Sequence, residues 1–347
     1  MSFRWMRVFP QLSFMPSPVS CCMTLDLSIV IATCMRASSL ERTLASIAAS
    51  SYPLDHVQVV IADNADDPDT RGVRGRCADR LELTYLVATT PGKNAALNAA
   101  LPSITGDLVL FTDDDVEVSP DWLAETSEAA ARWPEHVVFG GKVLPLWPPA
   151  SMPAYVNDQR YLGICFTVLD PKRDEGPSFS FTPFGPNVAI RRSVFDAGVR
   201  FNPHVGPHRA SYIMGSETEL IGRLKRQGHA PVFMPQSVVW HRIRPEQFSD
   251  RWLFGRAFRY GRLMEVRRQE AQEPARSTLR HVPEVLGCLA YAGLARAKGE
   301  RKAWFDQIME LSTTCGMIYQ SWQASPLEED ESLEQMIPAS PAGGVRL

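Results

Sequence analysis

Short β-branched runs alternate with helical stripes through the first half of the chain. Leu27 to Ala32 is a short β-branched run, and Ser38 to Ala49 then places Leu40, Leu44, Ile47 and Ala48 on one face of a helix. A second run, Val57 to Ala62, stops abruptly at Asp63-Asn64, and the polar cluster Ala65 to Arg74 reads as a loop. Leu83 to Ala88 predicts another strand. Pro91-Gly92 then precedes a helix over Lys93 to Ala100, and a strand over Asp107 to Thr112 runs directly into Asp113, Asp114 and Asp115. Ser119-Pro120 is a helix-start signal, and the helix is expected to continue to Arg132. Strands alternating with helices predict an α/β fold with a mostly parallel sheet, whose ligands bind at the carboxyl ends of the strands. Asp63 and Asp113 both stand at such ends.

The second half is less regular. Pro145 to Pro186 is rich in proline and aromatics without a clear period and reads as loops. Order returns with Asn187 to Ile190, and a helix over Glu217 to Gln227 with Leu220 and Leu224 inward and a strand near Ser237 to Trp240 follow. Two or three helices are expected between Arg251 and Trp322. This divides the chain into a leader at 1–22, a catalytic domain at 23–245 with halves 23–135 and 136–245, C-terminal helices at 246–325, and a disordered tail at 326–347. The leader carries no continuous apolar core, and its expected origin is an annotated start upstream of Met23.

Composition narrows the function classes. The seven cysteines are odd in number and form no CxxC pair, which points to reduced thiols and a cytoplasmic setting. A net charge of -3 offers no global attraction to nucleic acid. The longest apolar stretch, Val285 to Ala295, falls well short of the roughly 20 residues that span a bilayer, so no transmembrane helix is expected. Arg251 to Arg268 is basic and amphipathic, with Arg251, Gly255, Arg259 and Arg262 on one face and Leu253, Ala257, Tyr260 and Met264 on another. Such a helix fits a diphosphate or lipid-phosphate partner, peripheral contact with an anionic membrane, or ordinary packing.

Three adjacent carboxylates repel one another unless solvent or a cation compensates them. In an extended segment Asp113 and Asp115 share a face and Asp114 points away. Two hard oxygen donors suit Mg²⁺ or Mn²⁺, ions that also accept diphosphate oxygens. Gly92, Lys93 and Asn94 open a helix, where backbone N–H groups and a lysine favour an anion.

The segments LSIVIATCMRASSLERTLASI, VVIADNAD, GKNAALNAAL and LVLFTDDDVEVSPDWL occur in an order and spacing that resembles the family 2 glycosyltransferases, over roughly Leu25 to Gly261. The resemblance implies a GT-A fold, Rossmann-like, an inverting mechanism, a divalent metal and a nucleotide-diphosphate sugar donor carrying UDP, GDP or dTDP. The acceptor it implies is a glycan or lipid-linked acceptor in cell-surface polysaccharide or glycolipid synthesis. By position it puts Thr33 and Arg36 in the nucleotide pocket, with Asp63 reading the base. Lys93, Asn94, Asp113 and Asp114 border the donor, and Asp113, Asp115 and His241 surround the metal. Glu217 takes the place of the catalytic base, with Glu219 as a second candidate. The chain departs from the family's Pro-Thr-Tyr-Asn-Arg by having Ala32, Cys34 and Met35, and Ser216 interrupts the usual acidic pair.

Two other functions share parts of this pattern. A sugar-phosphate nucleotidyltransferase also uses aspartates and a metal, but carries a glycine-rich loop where this chain has Thr33 to Arg36, and it would release pyrophosphate. A catalytically silent nucleotide- or glycan-binding subunit would bind the donor without turnover.

Overall fold

The computed structural model describes residues 24–77, 79–149, 152–208, 212–271, 273 and 281–323. The expected leader, the start at Met23 and the tail from 326 lie outside them.

The central strands form where the β-branched runs predict them. They are β1 (Leu27–Thr33), β2 (Val57–Asp63), β3 (Glu82–Val87) and β4 (Leu108–Asp113), all mutually parallel in the order β3-β2-β1-β4. Alternate residues of these strands feed two cores. Leu27, Ile29, Ile31, Val59 and Ile61 face one layer with Leu40 and Leu44, while Val30, Val60, Val109 and Phe111 face the other with Ala96 and Leu97. The helices between them are α1 (Ala37–Ile47), α2 (Pro68–Cys77) and α3 (Lys93–Ala100).

Beyond β4 the sheet continues through β8 (Val188–Arg191), β6 (Val138–Leu146), β9 (Val232–Arg242) and β5 (Val116–Val118), with β7 (Gly176–Pro177) also pairing β9. One sheet therefore runs through both halves expected of the catalytic domain. The remaining helices are α4 (Trp122–Arg132), α5 (Gln159–Phe166), α6 (Arg192–Asp196), α7 (Ser216–Arg226), α8 (Asp250–Glu270), α9 (Val282–Ala297) and α10 (Arg301–Ser321).

Several sequence expectations are corrected. The polar cluster at 65–74 is not all loop, because α2 begins inside it. Asp67 caps that helix by accepting from the backbone N–H and hydroxyl of Thr70 at 3.1 and 2.7 Å, and Pro68 stands at the first helical position. The stretch Pro145 to Pro186 contains α5, capped by Asp158. Strand β6 was not expected. Its glycines tolerate close approach, since a Cβ on Gly140 would sit 2.1 Å from Pro183 and one on Gly141 2.2 Å from the Ser237 carbonyl oxygen. Asn187 ties the same junction, donating to the carbonyls of Lys142 and Ser237 and accepting from the Trp122 indole at 2.9 Å.

Helix α8 does not divide into the two expected faces. Arg262 is buried and donates to Gln320 Oε1 at 2.9 Å, whereas Met264 is 38% exposed. Here α8 and α10 cross with backbones in contact: a Cβ on Gly261 would lie 1.9 Å from the Thr313 carbonyl oxygen, and one on Gly316 2.0 Å from that of Phe258. Among the described residues no helix is long and apolar enough to cross a membrane. Apolar exposure is instead concentrated on α9, where Val282, Leu286, Leu289, Tyr291 and Leu294 are all exposed.

Candidate active site

Parallel register brings the chemistry together. Thr33 pairs with Asp63 and Ala32 with Asp113, so the ends of β1, β2 and β4 form one rim. That rim borders a cavity of about 850 Å³, the size range of small-molecule sites. Thr33, Arg36, Lys93, Asp113, Asp114, Asp115, Glu217 and His241 all line it.

The three aspartates are not arranged as an extended strand would place them. The chain leaves β4 at Asp113 and turns at Asp114 and Asp115 before β5, so the alternation of faces is lost. Arg36 instead forks across the turn, donating to Asp114 Oδ1 and Asp115 Oδ2 at 2.6 Å each. Thr33 donates to Asp114 Oδ2 at 2.7 Å. Burial pushes the Asp114 carboxyl up to about 6, against the pull of Arg36. Burial also works to raise Asp115, yet His241 and Arg36 hold it below the usual carboxylate range.

His241 reaches Asp115 because Val116 pairs with His241 across β5 and β9. Its Nδ1 donates to the Phe166 carbonyl at 2.8 Å, which fixes the tautomer and turns Nε2 toward Asp115 Oδ1 at 3.5 Å. Burial opposes a charge on this ring, but the bond to Asp115 outweighs it and raises the pKa. Arg244 Nη1 lies 3.8 Å from Asp115 Oδ2 and was not singled out from the sequence.

Asp113 belongs to a different cluster. Lys93 Nζ donates to Asp113 Oδ1 at 2.6 Å and lies 2.7 Å from Glu217 Oε1. Burial opposes the ammonium charge, but these two carboxylates keep Lys93 above its ordinary value. Glu217 is 6% exposed and sits at the start of α7, after Gly215 in the left-handed region at φ 94°. Gly185 makes room for it, since a Cβ there would stand 2.3 Å from Glu217 Oε2. Nothing beyond a Gly-Pro pair marks Gly185 in the sequence.

Three expected site residues do not line the cavity. Asp63 is fully buried and outside the cavity lining; it accepts from the backbone N–H groups of Ala65 and Asp67 at 2.9 and 2.8 Å and from the Tyr85 hydroxyl at 2.7 Å. It shapes the rim, and both of its oxygens accept hydrogen bonds from the protein. Asn94 is also fully buried, and its amide donates to the Asn202 carbonyl at 2.7 Å, bracing the loop that follows. Glu219 is 1% exposed, is gripped by Arg223 at 2.5 and 3.2 Å, and does not line the cavity. Two positions along a helix turn a side chain far from its neighbour, so Glu217 and Glu219 cannot share one site.

Among the described residues no three His, Cys, Asp or Glu side chains converge as a metal cluster. The set Asp113, Asp115 and His241 is therefore divided, with Lys93 holding the first. Asp115 Oδ1 and His241 Nε2 remain a fitting pair of donors for a hard or borderline divalent cation whose other ligands come from a diphosphate.

A family model described as Glycosyl transferase family 2 matches residues 28–197. Over 253 residues the chain is 25% identical to the succinoglycan biosynthesis protein ExoM of Rhizobium meliloti (strain 1021), covering 69% of this chain and 74% of that protein. A shorter match, 32% over 117 residues, joins it to validoxylamine A glucosyltransferase of Streptomyces hygroscopicus subsp. jinggangensis (strain 5008), covering 33% of this chain and 28% of that protein. Among solved structures, mannosyltransferase PcManGT from Pyrobaculum calidifontis, in complex with GDP-Man and Mn2+, superposes with a TM-score of 0.58 at 17% identity, covering 86% of this chain and 87% of the other. GalNAc-T7 with UDP, GalNAc and Mn2+ follows at a TM-score of 0.51 and 16% identity, covering 70% and 48%. At these identities the structural likeness is one of fold, and with 86% of the chain covered it reaches beyond the span of the family match. The strand-end rim, the acidic turn and these relatives agree: the chain belongs to the family 2 glycosyltransferases and is a glycosyltransferase with a GT-A fold.

Proposed function

We propose that the protein transfers a sugar, with inversion, from a nucleotide-diphosphate donor to the hydroxyl of a glycan or lipid-linked acceptor in surface polysaccharide synthesis. The observation that carries this reading is Glu217, a buried carboxylate on the cavity wall, held by Lys93 against Asp113. Glu217 draws the proton from the acceptor hydroxyl as its oxygen attacks the anomeric carbon; the bond to the diphosphate breaks, and the electron pair leaves with it. Asp115 and His241 would hold Mn²⁺ or Mg²⁺, and the ion would supply positive charge to offset that of the leaving diphosphate. Arg36 and Lys93 supply further positive charge, and both must release carboxylates to reach an incoming donor. The place in polysaccharide synthesis rests on likeness to the succinoglycan protein.

A cytoplasmic location fits a nucleotide-sugar donor. Membrane contact through 251–268 has little left to support it, because α8 is spent on packing and on the cavity wall.

The test is a panel of UDP-, GDP- and dTDP-sugars with Mn²⁺, the anomeric configuration of the product being read by NMR. Glu217→Gln should lower turnover about 10²–10⁴-fold while nucleotide binding survives. Retained configuration, full activity in chelator, or undiminished turnover in this variant would each overturn the corresponding part.

A further inference from the structure

Helix α8 turns one stripe toward the cavity: Trp252, Arg256, Tyr260, Leu263 and Arg267 all line it. Their spacing of three and four residues is that of a single helical face, and the stripe runs for about 22 Å at the rise of an α-helix. Leu263 lies against Gly215, the residue that starts the helix carrying Glu217, with a Cβ–Cδ2 approach of 2.8 Å if Gly215 had a Cβ. The stripe therefore passes beside the proposed base.

The cations on this stripe differ from the others lining the cavity. Arg36 and Lys93 hold the aspartates and Glu217, Arg244 lies 3.1 Å from Glu246, and Arg160 lies 3.3 Å from Asp158. Arg256 is 9% exposed and its only hydrogen bonds among the described residues are to neutral groups, the Ile164 carbonyl at 3.1 Å and the Tyr212 hydroxyl at 3.0 Å. The Arg267 guanidinium has neither a hydrogen bond nor a carboxylate oxygen within 4.0 Å among the described residues; Glu270 and Glu219 act on it only at longer range. Burying a guanidinium without an anionic partner is costly unless a ligand supplies the anion. Tyr260 between the two arginines and Trp252 one turn before Arg256 offer aromatic surface suited to sugar rings.

We propose that this face of α8 is an acceptor subsite for a negatively charged glycan, with Arg256 and Arg267 binding oxyanions of the acceptor rather than of the donor. The shared chemistry is a phosphate or carboxylate carried by the acceptor chain, and the arginine fork matches either. The proposal rests on the glycosyltransferase reading above but concerns the acceptor alone.

The test uses the full chain with Mn²⁺ and a saturating nucleoside diphosphate, so that the donor site is filled. Geranyl phosphate, trigalacturonate and neutral maltotriose are titrated by calorimetry. At least one anionic probe should bind about tenfold or more tightly than maltotriose, and weaken with added salt. Binding of geranyl phosphate assigns a phosphate source, and binding of trigalacturonate a carboxylate source. Arg267→Gln, at a half-buried position, should weaken that probe about tenfold, as should Arg256→Gln, with nucleotide affinity unchanged. Equal binding of charged and neutral probes, no binding of either anion, or anion affinity untouched in Arg267→Gln would overturn the subsite. Loss of nucleotide binding in the unmodified chain would instead overturn the donor reading.

Discussion

Lys93 Nζ lies 2.7 Å from Glu217 Oε1 and 2.6 Å from Asp113 Oδ1, so a single ammonium ties the end of β4 to the start of α7. The same group that holds the proposed base lines the cavity proposed to take the donor. Lys93→Met should therefore lower both turnover and affinity for a nucleoside diphosphate, whereas Glu217→Gln should lower turnover alone. Turnover assays paired with calorimetry separate the two, and an unchanged nucleotide affinity in Lys93→Met would show that the lysine serves only the carboxylates.

Gly185 gives a sharper probe of Glu217 because it alters no charge. An added Cβ would meet the carboxylate at 2.3 Å and must push it from its place beside Lys93. Misplacement of a reacting group by about 1 Å can cost about 100-fold, so Gly185→Ala should lose activity on that scale while still binding nucleotide. Full activity in this variant would remove Glu217 from the reaction.

The rim of the site is legible in the sequence because β1, β2 and β4 are apolar runs that end in polar residues, and parallel pairing aligns those ends. What the site residues do there is less legible. Asp113 to Asp115 read as a strand continuing outward, but the chain turns after Asp113 and Arg36 then binds the second and third carboxylates together. Asp63 stands where expected, yet local N–H groups and Tyr85 consume its oxygens, an outcome of loop geometry that no spacing rule predicts. Strand β6 escaped notice because Gly140, Gly141 and Pro145 disguise it, and only the close approach of Pro183 and Ser237 explains them. The stripe on α8 is not the face that the sequence suggests, since the spacing groups Arg251, Gly255, Arg259 and Arg262 together and only Tyr260 of the opposite face lines the cavity. Which arginines face the cavity depends on the Gly261 and Gly316 crossing that orients the helix.

Met35 departs from the family's usual asparagine and adopts φ 54°, in the left-handed region, while 69% exposed. Asparagine and glycine enter this region at little cost, and an exposed methionine contributes little packing. Met35→Asn or Met35→Gly should raise stability by about 0.5–1 kcal/mol, or leave it unchanged where backbone entropy offsets the relief with glycine. Denaturant unfolding measures this, and a clear loss of stability in Met35→Asn would mean that the methionine has a partner not evident in the fold.

Glu270 closes α8 with its side chain 2% exposed, 3.2 Å from Arg226, and with Oε1 lacking a hydrogen-bond partner among the described residues. Burial, and next the nearby Glu219 carboxylate, push its pKa from 4.5 up to about 7, against the pull of Arg226. A carboxyl whose folded pKa lies above its unfolded value binds more protons in the folded state between those two values. Stability is therefore greatest below about pH 4.5 as far as this group is concerned, and is lost progressively as pH rises to about 7. The span corresponds to at most roughly 3 kcal/mol, reduced by relaxation around the pair. Glu270→Gln keeps the shape and removes the titration, so its unfolding free energy should lack this decline and match or exceed that of the parent at pH 8. Chemical denaturation at several pH values between 4.5 and 8 reads the difference directly. A variant that follows the parent's pH dependence throughout would show that Glu270 is already ionised at no cost, its charge carried by Arg226.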